Sequence, residues 1–371
     1  MTANNKFGVN ILGFFKYQFG IAELARLILA SLEQAHIPYL INNLEALNHN
    51  IDKDLIQNIS NDNIYPINII VANASETGLV LQQKTEKYLK GKYNIGVWCW
   101  ETEQFPLIEH NTVKYFNEIW TISEFCKESI KKTVNLPISV IRLPVILPNN
   151  LPYFSSSRIP KNKFAVLFTF DFLSIFERKN PLAVVEVFKK AFGNDMNALL
   201  IIKSINKKYN SQKFQIILQA IKNFNNIIIF DESLNRIDTL SLINSCDVYI
   251  SLHRSEGLGL SMKEAMAMGK VVIATNYSGN LDFMSNDNSL LVQYNKVQIP
   301  ITIKCYYKKE IRWAEPDIND AVNKLKQIYT DKILRETISK NAKKYIEEEY
   351  NIDKCGNEFL QKITNIYNYI N

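Results

Sequence analysis

The sequence predicts an α/β protein built from two doubly wound, Rossmann-like domains that face a cleft. Short β-rich apolar runs alternate with amphipathic stretches of helical length from end to end, the pattern of βαβ units around parallel sheets. A Pro- and Asn-rich stretch at residues 143–163 interrupts this alternation, which then restarts. With 371 residues, 47% of them hydrophobic and 22% charged, the chain can bury two cores and is too apolar for disorder.

Residues 7–13 read as the first strand. A helix at 21–34 follows, with Ile21, Leu24, Ala25, Leu27, Ile28 and Leu32 at helical spacing. Strands are predicted at 39–41, 68–72 and 94–98, the last two separated by a polar helix at 81–89. Strands at 118–122 and 138–141 enclose a helix at 124–132. After the interruption, strands at 165–170, 199–203, 227–230, 248–252 and 271–274 alternate with helices at 181–191, 212–223, 237–244 and 260–268. Helices at 318–329, 332–349 and 353–369 close the chain.

The composition excludes several function classes. The longest apolar runs, such as 164–168 and 198–202, are of strand length, well short of the ~20 residues of a membrane span. The polar first six residues lack the apolar core of a secretory signal. Cys99, Cys126, Cys246, Cys305 and Cys355 form no C-x-x-C pair, and His36, His49, His110 and His253 are dispersed. Neither a disulfide framework nor a zinc site is expected, and a cytoplasmic location is. The net charge of +6 suits anionic small ligands or peripheral contact with the inner face of a membrane. No nucleic-acid-binding motif stands out, so no nucleic-acid partner is expected. Asp52-Lys53-Asp54 is a D-x-D triplet in an Asn-rich region with no strand before it. It reads as solvated charge, and no metal or cofactor is expected.

The most informative segment is 251–270, SLHRSEGLGLSMKEAMAMGK. A strand ends at Leu252, and a turn, Glu256-Gly257-Leu258-Gly259, leads into a helix from Leu260. Glycines let the backbone approach a ligand closely, and amides at a helix start form an anion site. Glu256 is expected in the loop and Glu264 about one and a half turns inside the helix. Both would then face one ligand lying across the helix start. A carboxylate accepts hydrogen bonds from vicinal hydroxyls, so the pair suits a sugar and a ribose flanking a diphosphate.

This segment resembles the E-x7-E signature of the family 4 glycosyltransferases, retaining enzymes of the GT-B fold. WTISEFCKESI at 120–130, VIRLPV at 140–145, ERKNP at 177–181 and YSGNLDF at 277–283 agree in order and spacing. WAEPD at 313–317 and VWCWE at 97–101 resemble a subset acting in bacterial surface-polysaccharide assembly. The resemblance implies an acceptor-binding domain over 1–150 and a nucleotide-sugar-binding domain over 151–349. A last helix over 350–371 would cross back to the first domain, with Tyr350, Tyr367 and Tyr369 packing there. The implied substrates are a nucleotide-diphosphate sugar as donor and a saccharide or lipid-linked acceptor, with retention and without a metal.

Carried over by position, Glu264 would hold the ribose and Glu256 the donor sugar. Gly257, Leu258, Gly259 and Leu260 would present amides to the sugar or distal phosphate. Lys179 would bind the diphosphate, and Gly20 would let the backbone of the first domain approach it. The Arg that the family usually carries before that Lys is missing from Phe170-Asp171-Phe172-Leu173. Arg178 or Lys203 would replace it, Arg178 reading otherwise as a solvated helix-start charge. The acceptor-side His of many relatives also has no counterpart. Glu101 would orient the acceptor, beside Trp98 and Trp100, or serve as a helix-entry cap. His253 either touches the ligand or braces its loop. Two rival readings are a catalytically decayed nucleotide-sugar-binding scaffold and a GT-B-type sugar-nucleotide epimerase or hydrolase.

Overall fold

A computed structural model of the chain describes residues 6–46, 58–106, 110–154, 159–160, 162–300, 303 and 311–371. Asp52 and Asp54 of the D-x-D triplet, with His49 and Cys305, lie outside the described residues. The chain divides into two compact units, Met1–Val145 with Glu349–Asn371, and Ile146–Glu348.

The first unit runs β1 (Val9–Gly13), α1 (Gly20–Gln34), β2 (Tyr39–Asn43), β3 (Ile67–Val71), α2 (Thr77–Leu89), β4 (Tyr93–Val97), α3 (His110–Val113), β5 (Glu118–Thr121), α4 (Glu124–Ile130) and β6 (Ile138–Val140). Its six strands pair in the order β2-β1-β3-β4-β5-β6, all parallel. Every residue of β1 and β3 is buried, as expected for central strands covered on both faces. The last helix of the chain, α12 (Ile352–Ile370), belongs to this unit and packs against α1. Gly356 makes the approach close, since a Cβ there would lie 3.1 Å from Gln34 Cγ. Phe359 meets Trp120 edge-on at 5.5 Å, and Tyr367 meets Phe7 at 5.2 Å. Tyr350 is buried, whereas Tyr369 stays exposed and only edges Tyr93.

The interior of this sheet holds an unexpected polar ladder. Asn10, Asn68 and Asn94 occupy registered positions on β1, β3 and β4. The Asn10 side-chain amide donates to Asn68 Oδ1 at 2.9 Å, and that of Asn68 donates to Asn94 Oδ1 at 2.8 Å. Asn94 closes the row by donating to the Leu89 carbonyl at 2.9 Å. Buried amides are tolerated when their partners are in place.

The second unit runs β7 (Phe164–Asp171), α5 (Phe176–Lys179), α6 (Pro181–Phe192), β8 (Ala198–Ile205), α7 (Ser211–Ile221), β9 (Ile227–Asp231), α8 (Arg236–Asn244), β10 (Val248–Ser251), α9 (Leu260–Ala267), β11 (Val271–Thr275) and β12 (Leu290–Val292). An antiparallel hairpin, β13 (Tyr294–Gln298) and β14 (Arg312–Pro316), precedes α10 (Ile318–Thr330) and α11 (Lys332–Glu349). The strand order is β12-β11-β10-β7-β8-β9. All five pairings are parallel. Winding therefore reverses between β7 and β10. Connections from these two neighbours depart to opposite faces, which opens a crevice beyond their carboxyl ends. Apolar side chains of β7, β8, β10, β11, α6 and α10 fill one continuous core.

The fold is thus the predicted one, with α3, α5, β12 and the β13–β14 hairpin as additions. The β13 strand, YNKVQ, has no buried residue and gives little apolar signal. One turn long, α5 is severed from α6 by Asn180, which takes φ +55°. Pro181 then starts α6 at the position where its missing N–H costs nothing.

Replacing Asn68 with Ala should destabilise the first unit by about 1–3 kcal/mol, because Asn94 Oδ1 loses its donor inside the sheet. Urea unfolding of the purified chain checks this. An unchanged midpoint would mean that the ladder contributes nothing.

Candidate active site

The site begins with a sharp local break. The left-handed Asn180 ends α5 after a single turn and sends its side-chain amide to the Leu252 carbonyl at 2.9 Å. This ties the segment after β7 to the segment after β10. More bonds follow along the same seam. The Arg254 amide donates to the Arg178 carbonyl at 2.8 Å, and Arg178 Nη1 donates to the Ser255 carbonyl at 3.0 Å. Arg254 Nη1 reaches the Glu177 carbonyl at 2.5 Å.

These bonds deliver two cations to one carboxylate. Lys179 Nζ lies 2.5 Å from Glu256 Oε1, and Arg178 Nη1 lies 3.3 Å from Oε2. Arg178 is only 5% exposed, so its reading as a solvated charge is overturned. Adjacent helical positions point about 100° apart, but the two long side chains grip opposite oxygens of Glu256. Burial pushes the Glu256 pKa up. The charges of Lys179 and Arg178 more than offset this and hold it at about 2. Each carboxylate oxygen has a second lone pair, so Glu256 can accept a further hydrogen bond while held.

Two further segments fix the Glu256 loop. The Glu256 amide donates to Ser278 Oγ at 2.8 Å, and the Gly279 amide donates to the Glu256 carbonyl at 3.0 Å. Gly279 permits this closeness, since a Cβ there would fall 1.9 Å from the Gly257 oxygen. On the other side, Arg254 forms a two-point ion pair with Glu315 of β14 at 2.6 and 2.8 Å and lies over the Trp313 ring. The YSGN and WAEPD segments therefore hold the signature loop.

His253 is fully buried. Its Nδ1 faces Ser251 Oγ at 3.0 Å, and its Nε2 faces Tyr277 O and Asn280 Oδ1, both at 3.2 Å. Burial pushes its pKa down, which keeps the ring neutral. Both ring nitrogens are turned to the protein, so His253 braces the loop.

The signature turn ends at Gly259, whose φ of +94° suits a glycine, and α9 starts at Leu260 without a side-chain cap. Its first backbone bond runs from the Lys263 amide to the Gly259 carbonyl, so the preceding amides point out of the helix start. Leu258 is buried beneath the turn. Glu264 is the fifth residue of α9, just over one turn in and closer to the start than expected. It is 5% exposed and pairs with Arg236 of α8 at 2.6 Å. Tyr249 of β10 lies near both glutamates. Its hydroxyl bonds Thr169 of β7 at 2.7 Å and Ser261 of α9. Burial and then the charges of Glu256 and Glu264 push its pKa up to about 12.

Lys203 sits inside β8 in register with Thr169. Burial pulls its pKa down against the opposing pull of Asp171, Asp231 and Glu232. The cation that joins Lys179 on Glu256 is Arg178. In the first unit, Gly20 opens α1 after β1, beside that sheet's own switch point. A Cβ at Gly20 would meet nothing within 4 Å, so packing does not demand the glycine. Glu101 lies half-buried in the loop after β4. Trp98 is core, stacked on Phe105 at 5.7 Å, and Trp100 spends its indole N–H on Thr102 and Gln104. Arg236, Tyr249, Arg254 and Ser278 escaped the sequence reading, because their roles depend on partners distant along the chain.

Two parallel-sheet units, each with its own switch point, define a two-domain α/β class of fold, and solved structures share it. HepE of Anabaena, in complex with UDP and glucose, matches with a TM-score of 0.68 at 14% identity, covering 97% of this chain and all (100%) of that one. Sucrose-phosphate synthase from Thermosynechococcus elongatus matches with a TM-score of 0.67 at 11% identity, covering 98% and 100%. TarM of S. aureus matches with a TM-score of 0.60 at 16% identity over 82% of this chain and 56% of TarM, so this chain spans little more than half of TarM's length. At such identities the likeness is one of fold, that of the GT-B glycosyltransferases. No curated protein matches the chain in sequence. The family described as Glycosyl transferases group 1 matches residues 153–345, more than half of the chain. The chain belongs to that family.

Replacing Glu256 with Gln should cost about 3–5 kcal/mol of stability at neutral pH, since it strips the buried Arg178 of its counter-charge. The Glu256 pKa is depressed, so its stabilisation is complete above the ordinary carboxylate value of 4.5 and fades as pH falls from there towards about 2. The gap between parent and variant should therefore narrow on acidification. Denaturant midpoints measured at neutral and acid pH check this, and equal midpoints at neutral pH would contradict it.

Proposed function

We propose that this chain is a glycosyltransferase that moves a sugar from a nucleotide-diphosphate donor to a saccharide or lipid-linked acceptor, with retention and without a divalent metal. The observation that carries the reading is the convergence of Arg178, Lys179, Glu256 and the start of α9 at the switch point between β7 and β10. Negative charge builds on the leaving diphosphate as the glycosidic bond breaks. A cation and helix-start amides already in place stabilise that charge without reorganisation. The Lys179 side chain is 22% exposed and accessible to a ligand. The amides of Gly257, Leu258, Gly259 and Leu260 would meet the distal phosphate or the sugar, Glu256 the sugar hydroxyls and Glu264 the ribose.

The acceptor hydroxyl would attack from the face that the diphosphate leaves, and a departing phosphate oxygen would take its proton. Glu256 is committed to two cations, which makes it a poor nucleophile and argues against a covalent double displacement. Gly20 and Glu101 of the first unit are assigned to the diphosphate and the acceptor. The UDP and glucose in the HepE complex, and the UDP in the TarM complex, support a UDP-sugar as the first donor to try. TarM was also captured with α-GlcNAc-glycerol, which supports a saccharide-bearing acceptor. The resemblance of VWCWE and WAEPD supports a role in surface-polysaccharide assembly. The work would be done in the cytoplasm, with peripheral contact with the membrane inner face. Among the described residues no helix is long and apolar enough to cross a membrane.

Incubation with a panel of sugar nucleotides, with and without acceptors, tests the reading through release of free nucleotide. Release that depends on acceptor is expected. Binding without turnover would favour a scaffold, and turnover without acceptor a hydrolase or epimerase. Lys179→Ala should lower turnover on the order of 100-fold. Glu264→Gln should weaken donor binding by about 1.5–3 kcal/mol, the range of a hydrogen bond to a charged group. Activity at parental levels in Lys179→Ala would refute the diphosphate assignment.

Metal use and stereochemistry are separable. Activity should persist in excess EDTA, and proton NMR should show an α-linked product from an α-linked donor. Rescue of an EDTA-inactivated enzyme by Mg²⁺ or Mn²⁺ would refute the first expectation, and a β-linked product the second.

A further inference from the structure

We infer that Arg236 is a positioning residue of the donor site: it orients the Glu264 carboxylate towards both ribose hydroxyls and thereby sets the preference for ribonucleotides over deoxyribonucleotides. The inference rests on the reading of Glu264 as the ribose contact and extends it to a residue outside the signature. Glu264 is nearly closed off, with its side chain 7% exposed. Arg236 Nη1 approaches its Oε1 to 2.6 Å, and the Arg236 side chain is 33% exposed. The guanidinium is therefore the more exposed partner of a nearly buried carboxylate.

The backbone of Arg236 is itself fixed. Asn235 caps α8 by accepting the Asp238 amide at 2.8 Å, which sets Arg236 as the first helical residue. The glutamate is anchored from the other side, because α9 packs against β10 and β11 of the sheet. A carboxylate alone turns freely about its last bond. A guanidinium held at one oxygen fixes the carboxylate plane, and with it the directions of the remaining lone pairs. Two neighbouring hydroxyls on a ribose need two acceptor directions at once. A carboxylate set at the wrong angle would satisfy one hydroxyl and miss the other. Arg236 therefore acts through Glu264 on the geometry of recognition, beyond any effect of its charge on overall affinity.

Calorimetry on the full chain tests the proposal. UDP, GDP and ADP are titrated first. The tightest binder and its 2′-deoxy analogue are then compared on the parent, Arg236→Gln and Arg236→Lys. The parent should prefer the ribonucleotide on the order of 10-fold or more, as expected for loss of a hydrogen bond to a charged group. Arg236→Gln should bind the ribonucleotide more weakly and show a preference close to one. Arg236→Lys keeps the charge but not the planar fork, so affinity should recover more than preference. A purely structural Arg236 would lower the melting temperature and leave the preference intact. An unchanged preference in folded Arg236→Gln overturns the inference while leaving the donor site standing. Should that variant not fold, an unchanged preference in Arg236→Lys overturns it equally. Failure of the parent to bind any of the three nucleotides removes the donor reading itself, and the inference with it.

Discussion

The second unit depends on one buried carboxylate held by two cations. Glu256 sits where β7 and β10 part company, and without Arg178 and Lys179 its charge could not remain at that depth. The ion cluster is stitched in by the Arg254 amide on the Arg178 carbonyl, by Arg178 Nη1 on the Ser255 carbonyl, and by the Asn180 side-chain amide on the Leu252 carbonyl. Removing one partner of a buried set leaves uncompensated charge, so the segment after β7 and the signature loop are expected to stand or fall together. On the proposed reading, a diphosphate would meet Lys179 and Arg178 already held in place by Glu256.

Strain is concentrated around the same point. Asn180 at φ +55° and Ser278 at φ +80° both depart from the usual backbone regions within the segments that frame Glu256. Such conformations persist only where surrounding contacts over-determine them. Here the contacts are the Ser278 bond to the Glu256 amide, the Gly279 packing on Gly257, and the Arg254–Glu315 pair from the hairpin. The outer hairpin and the post-signature turn thus act as supports for the loop between them.

Much of this was legible in the sequence. Strands such as Val271–Thr275 are buried throughout and announce themselves as continuous apolar runs. The spacing of Glu256 and Glu264 across a glycine turn singled out that segment through its likeness to a family signature, where two isolated glutamates would have read as ordinary surface charges. The β13 strand was not legible, because its residues are mostly solvated. The ladder of Asn10, Asn68 and Asn94 was hidden because asparagine ordinarily signals a turn, and only the three-strand register turns it into an interior network. Arg178 was ambiguous for a related reason. Beside a helix start a charge is usually solvated, and only the left-handed Asn180 carries this one inwards. The pairing of Arg236 with Glu264 joins two helices whose sequences contain no sign of each other.

The most direct test of the central claim is a crystal structure of the chain with a nucleotide sugar bound. The account predicts diphosphate oxygens within hydrogen-bond reach of Lys179 Nζ and of the first amides of α9, with the ribose hydroxyls on Glu264. A nucleotide bound away from the β7–β10 switch point, with Lys179 still closed on Glu256, would contradict it.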